Sequence, residues 1–348
     1  MKCSSFSYRE RGKSGEGDNS LEEEQLMPKS RRRPGSKKRY GKRLFNARTE
    51  IAKWFEEIGV NPEKNLPYKV LYHYTSTAGA SSILESQKFW ATAHDCTNDK
   101  GELVSANATI LDVAQKVRAK ASGLPARVLT LFLQNYEKEM IANIRTAYLC
   151  CFSMPRDDAN QWQLYGVDGK GVCLGLRIIN EPGPESNETF SRLFEVTYSE
   201  DALRQWFSET LDKICAALSR YPITPQNVRA ALASISGVAA FASMTAKTPY
   251  WSSELEVRHV TLDKTGRGVK PSVRTGRDGK EIRYLPVSLR ADDKLIALDE
   301  IIIGAAQDFD DLRAQFETLL KAKGYVEGSI EYPRITFSRY AGAPANGF

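Results

Sequence analysis

The chain has 348 residues, 41% of them hydrophobic, with a formal net charge of +6. That size can bury a full core in one large domain or two modest ones, and no run of about 18 apolar residues marks a membrane span. The basicity is local: residues 28–43 hold nine Lys and Arg and no acid, so the remainder of the chain carries −3.

Residues 1–44 are rich in Ser, Gly, Glu, Lys and Arg and lack aliphatic periodicity. Such a segment cannot bury enough apolar surface to offset the entropy of ordering, so a disordered basic leader is expected. Its basic block serves either as an arm for nucleic acid or an anionic surface, or as a solvated tail. No apolar segment follows the basic start, which argues against a secretory signal peptide. Six cysteines are scattered without CxxC pairs and only three histidines are present, which points to reduced cytoplasmic thiols and no metal site. Residues 45–340 are then expected to form a single domain, with its most readable part at 70–335.

From Phe45 the pattern is helical, with Ile51, Trp54, Phe55 and Ile58 at spacings of three and four and Gly59 as a stop. Residues 70–92 predict a strand, a short helix carrying Ile83 and Leu84, and a second strand through Phe89 and Trp90. A polar turn, 94–102, precedes two predicted helices at 102–120 and 125–145; there Asn98, Asp99 and Glu102 form either a helix cap or a polar wall. Residues 147–153 read as a strand, and a helical turn carrying Trp162 and Tyr165 follows it. Further strands are predicted near 169–176 and 193–198, with helices from Ser199 to Leu218 and over 225–243. Lys247 to Ser253 reads as a loop with two aromatics, Tyr250 and Trp251. Glu254 to Val260 alternates charged and apolar residues, which places Glu254, Glu256 and Arg258 on one face of a strand. Residues 264–280 read as a long mobile hairpin loop with a return strand at 282–289. A strand at 301–304, a helix at 308–323 and a strand at 328–337 close the chain. Separate helices among short strands give an α+β fold.

Three polar clusters stand on these strands: His73 with Thr75, Ser153 with Trp162 and Tyr165, and Glu254 with Glu256. Each alone has an ordinary structural explanation, since strand histidines are usually hydrogen-bonded, helix-spaced aromatics usually pack in cores, and exposed ion pairs contribute little. Their order suggests more. Holding a dinucleotide and expelling nicotinamide requires hydrogen-bond partners for the ribose and carboxamide, an aromatic face for the ring, and a fixed anion beside the ribose carbon.

Tyr72-His73-Tyr74-Thr75, Phe89-Trp90, Asn98-Asp99-x-x-Glu102, Cys151-Phe152-Ser153, Trp162-x-x-Tyr165, Lys170-Gly171-Val172-Cys173-x-Gly175 and Glu254-x-Glu256-x-Arg258 together resemble the bacterial domain of unknown function 2971 family. Leu71-Tyr72-His73-x-Thr75 followed by the helix with Ile83-Leu84, Cys151-Phe152-Ser153 leading to Tyr165, and Glu254-x-Glu256 are similar to segments of ADP-ribosyltransferases of the poly(ADP-ribose) polymerase and toxin types. That resemblance implies a split antiparallel sheet with inserted helices and NAD as substrate, with no metal. It implies that His73 binds the ribose and carboxamide, that Tyr165 or Trp162 stacks on nicotinamide, and that Tyr72, Thr75 and Ser153 line the nucleotide. Glu256 would be the catalytic carboxylate and Glu254 would activate the acceptor. The Ser-Thr-Ser of the arginine-modifying toxins is missing from the middle segment.

The function so implied is transfer of ADP-ribose to a macromolecule, protein or nucleic acid, by a toxin, effector or phage-defence component. It would work in the cytoplasm or in a host cell after delivery. The alternative is a non-enzymatic module that grips nucleic acid or a protein partner through residues 28–43 and the 264–280 loop.

Overall fold

The computed structural model describes residues 70–96, 101–144, 147–178, 189–263, 271–275, 279–289 and 296–340, all within one compact unit, 44–348. The expected leader, the helix from Phe45, and Asn98 and Asp99 lie outside the described residues, as do the side chain of Glu102 and most of the 264–280 loop.

Ten strands among these residues form one sheet: β1 Val70–Ser76, β2 Lys88–Ala93, β3 Ala147–Ser153, β4 Gly171–Ile178, β5 Thr189–Glu195, β6 Glu256–Asp263, β7 Ser272–Thr275, β8 Glu281–Ser288, β9 Ile296–Ile303 and β10 Arg334–Phe337. Every pairing is antiparallel except β9 with β10. The fold is therefore α+β with a mostly antiparallel sheet. Two expectations are corrected here. The supposed mobile loop contains β7, and the last strand is confined to Arg334–Phe337.

The eight helices among these residues are α1 Thr77–Ser86, α2 Gly101–Lys120, α3 Gly123–Gln134, α4 Tyr136–Ile144, α5 Ala159–Leu164, α6 Glu200–Leu218, α7 Pro225–Thr245 and α8 Phe309–Ala322. Their starts are written in local chemistry. Ser76, Asp158, Ser199, Thr224 and Asp308 each accept a bond from a backbone N–H of the first turn. Pro225 sits where its missing N–H costs nothing. By length and composition alone α7 is apolar enough to cross a membrane, which the sequence reading did not register; 67% of its most apolar window is buried within the protein.

The sheet has two unlike faces. Leu71, Phe89, Phe152, Leu174, Val257 and Ile301 belong to a core that includes Leu84 of α1 and Phe316 of α8. On the other face Ala147, Leu149, Phe194 and Val260 pack with the apolar sides of α2, α3, α4, α6 and α7. These helices cover that face only toward the start of β3, and Cys151 and Ser153 further along the strand line an open cleft.

The loop after β3 is pinned before it launches α5. Arg156 donates to both oxygens of Glu300 on β9, at 2.9 and 2.8 Å, and Glu300 is wholly buried. Asp157, with a left-handed φ of 55°, accepts from the Trp162 indole, the Ser338 hydroxyl and the Arg339 backbone. Removing one partner of such a pair strands a buried charge. Arg156→Met is expected to lower the unfolding free energy by about 3 kcal/mol in urea melts, and Arg156→Met with Glu300→Leu to recover most of it.

Candidate active site

Strand β3 shares one edge with two partners. It meets β1 only at Ser153, opposite Tyr72, and β2 only at Tyr148 and Leu149. Between those contacts the sheet is split, and His73 fills the gap by donating Nδ1–H to the carbonyl of Cys151 at 3.1 Å. The ring also meets Phe89 and Phe152 edge-on, at 5.1 and 6.0 Å. Burial lowers its pKa below the ordinary 6.5, so at neutral pH the imidazole is uncharged. With Nδ1 as donor, the neutral ring keeps a lone pair on Nε2.

The other edge of β3 pairs with β6 along its length, setting Ser153 opposite Glu256 and Cys151 opposite Arg258. Directly opposed residues share a face, so these four side chains rise on the open side of the sheet. Arg258 is 1% exposed and donates to both oxygens of Glu256, at 2.8 and 3.0 Å, and to the carbonyl of Met244 at 2.6 Å. That carbonyl lies in the last turn of α7, where the helix dipole favours a cation. Despite the burial that opposes ionisation, Arg258 and Lys247 hold the Glu256 carboxyl down at about 2.

Glu254 does not extend this strand, contrary to the alternation in sequence. Pro249–Glu254 is a 3₁₀ helix, and Leu255 takes a left-handed φ of 42° that folds the chain before β6 begins. For a non-glycine residue that conformation costs roughly 1–2 kcal/mol. Bonds from Ser153 Oγ to the Glu254 carbonyl at 2.8 Å, and from the Met154 N–H to the Leu255 carbonyl at 3.0 Å, hold it. The Glu254 side chain accepts from Tyr165 Oη at 2.7 Å and from Lys247 Nζ at 2.5 Å. Lys247 reaches Glu256 as well, at 3.3 Å, and its ammonium lies 5.2 Å from the centre of the Trp251 ring.

These groups line one cleft of about 940 Å³. It takes in Tyr72, His73, Thr75, Ser153, Tyr165, Glu254 and Glu256, which sequence reasoning had singled out. Trp162 is the exception. It is wholly buried, edge-on to Tyr74 at 5.1 Å, so of the two aromatics only Tyr165 presents a face to the cleft. Ser153 is also committed, since its hydroxyl holds the Glu254 turn. The Cys151 thiol is open to the cleft, and desolvation by the surrounding walls together with the Glu256 carboxylate pushes it well above its ordinary pKa, which disfavours a thiolate nucleophile.

Sequence reasoning missed Lys247, Arg274 and the role of Trp251. Lys247 had a faint signal: with Arg229 it is one of only two charged residues in 225–253, and it sits just before two aromatics and the acidic pair. Among the described residues no group of three or more His, Cys, Asp or Glu could hold a metal ion. Comparisons with family models, curated proteins and solved structures gave no match to this chain.

Two outcomes are expected. Trp162→Ala should cost about 3–5 kcal/mol of stability in denaturant melts, as a core deletion does. Glu256 binds its proton more weakly folded (about 2) than unfolded (near 4.5), so its contribution is complete above pH 4.5 and is lost as pH falls toward 2. Urea melts across pH 2–5 should therefore show a shallower rise of stability with pH in Glu256→Gln than in the parent.

Proposed function

We propose that the cleft binds NAD and that the chain is an ADP-ribosyltransferase-like enzyme, as its resemblance to the domain of unknown function 2971 family and to the polymerase- and toxin-type transferases implies. The observation that carries this reading is the meeting of His73, Tyr165, Lys247, Glu254 and Glu256, from four separated segments, in one cleft at a split in an antiparallel sheet.

Each group suits one demand of the reaction. Neutral His73, oriented by the Cys151 carbonyl, offers Nε2 as acceptor for a ribose hydroxyl. Tyr165 and Trp251 supply aromatic faces beside two carboxylates, a setting that attracts the cationic pyridinium ring. The Lys247 ammonium occupies that position, so the ring would take the place of a resident cation. When the bond between nicotinamide and the ribose carbon breaks, the ring leaves with the electron pair and positive charge develops on the carbon. Glu256, held ionised and fixed by Arg258, is the anion placed for it. Glu254 is placed to take a proton from the acceptor, a protein or nucleic acid, that captures the carbon. A toxin, effector or phage-defence role in the cytoplasm, or in a host cell after delivery, fits this chemistry.

Incubation with NAD is expected to release nicotinamide, and Glu256→Gln to reduce that release by about 10²–10³-fold, the effect of losing one preorganised electrostatic partner. Thermal melts must accompany the variant, because Arg258 then lacks its counter-charge. Release by a folded Glu256→Gln protein at the parent rate would remove the glutamate from catalysis, and no release by the parent would favour a binding module instead. The His73 lone pair is needed and its pKa lies below 6.5, so release should hold steady through neutral pH and fall only on the acid side. His73→Gln should abolish that acid limb.

A further inference from the structure

The far wall of the cleft is built by β2, β8 and β7, on the same face as the acidic pair. Thr92 opposes Leu149 and Tyr284, and Arg274 opposes Ile282, so Trp90, Tyr284 and Arg274 all rise on the open side. Trp90 is 42% exposed, a large apolar ring left in the open. Tyr284 packs against it at 4.8 Å with the rings tilted by 34°, which fixes its plane. The Arg274 guanidinium lies 5.6 Å from the centre of the same ring. Arg274 Nε is shut off from solvent and makes no hydrogen bond, and among the described residues no carboxylate pairs with this side chain.

The Arg274 side chain lines the cleft without a carboxylate partner among the described residues, so an anion that reaches the guanidinium would make a charge-assisted bond the fold leaves unmade. Charge decides which ligand. Lys247 and Arg258 balance Glu254 and Glu256 at one end, so among the described lining residues Arg274 is one positive charge in excess at the other. A planar guanidinium forks onto phosphate oxygens, and an exposed indole stacks on a base. β7 lies four strands from β6, through β8, β2 and β3, which at about 4.8 Å per strand is roughly 19 Å. A ligand touching both ends must be long, cationic at one end and anionic beyond it.

We propose that Trp90 and Arg274 form the subsite for the nucleoside-diphosphate half of the substrate, with the purine on Trp90 and a phosphate oxygen accepting from Arg274. This rests on the NAD reading for the substrate's other half, but the subsite can be tested without turnover. Calorimetric titration of the full chain with ADP, and separately with inorganic pyrophosphate, is the measurement. ADP should bind the parent protein more tightly than pyrophosphate, which lacks the base. Arg274→Gln should weaken ADP about tenfold or more, as loss of a charge-assisted bond does, and Trp90→Leu should abolish the preference for ADP over pyrophosphate. Trp90 is 42% exposed and Arg274 Nε makes no hydrogen bond, so both variants should fold, which thermal melts check. With NAD, Arg274→Gln should raise KM and leave kcat near its parent value. ADP binding that is undetectable in the parent, or unchanged in both variants, overturns the subsite even if nicotinamide is released. ADP binding lost in Arg274→Gln while the parent releases no nicotinamide upholds the subsite and overturns the transferase reading.

Discussion

The Arg258 guanidinium is the contact on which the cleft depends. It lies almost wholly buried where the helical layer ends and the open side of the sheet begins, and its acceptors include the Met244 carbonyl and both oxygens of Glu256. A guanidinium in that position destabilises the fold unless its partners are in place. The end of α7, the first residue of β6 and, through Glu256, the Lys247 turn are thereby fixed to one another. Tyr198 adds to the lock by accepting from the Glu256 backbone N–H at 2.8 Å. The carboxylate is rigid because it completes a structural ion cluster, and the same rigidity makes it usable as a preorganised charge.

That cluster also sets what the cleft attracts. Two acids and two bases within a few ångströms leave no net charge, so a free anion or a simple cation gains little from the pair as a whole. The two bases differ in their chemistry. Arg258 forks onto both Glu256 oxygens and reaches the Met244 carbonyl, whereas Lys247 brings a single ammonium on a four-carbon stem to Glu254 and Glu256. In the proposed reading, a flat cation lying against Trp251 and reaching Glu254 would take the place of Lys247 and leave neither carboxylate unpaired. A small inorganic cation would lack the aromatic contact and gain less.

Much of the sheet was legible because the residues that build it obey period two and their turns carry local signals. β3 was read at its observed limits, Ala147–Ser153, from a short apolar run, and α6 from Ser199 with two acids behind it. The candidate site was legible in its residue types and not in its geometry. Glu254-x-Glu256-x-Arg258 looks like one strand face, yet Leu255 turns left-handed and moves Glu254 off the ladder; nothing in a leucine announces that conformation. Trp162 and Tyr165 share helical spacing, and only the Asp157 acceptor, which draws the indole inward, decides which of them faces the cleft. Lys247 and Arg274 belong to the site through contacts with residues on other elements, which no local pattern encodes.

The split between β1 and β2 explains why polar groups gather at this place. A continuous sheet would satisfy both edges of β3, and an imidazole there would have no backbone acceptor to claim. Because β1 and β2 each pair with only one end of β3, the Cys151 carbonyl between them is left for a side chain, and His73 takes it. The apolar helices that cover this face end before this point, so the polar ends of β3 and β6 meet no core that would exclude them. Two breaks in regular packing, one in the plane of the sheet and one above it, coincide at Cys151. Their coincidence lets a buried, correctly charged set of groups coexist with an open cleft.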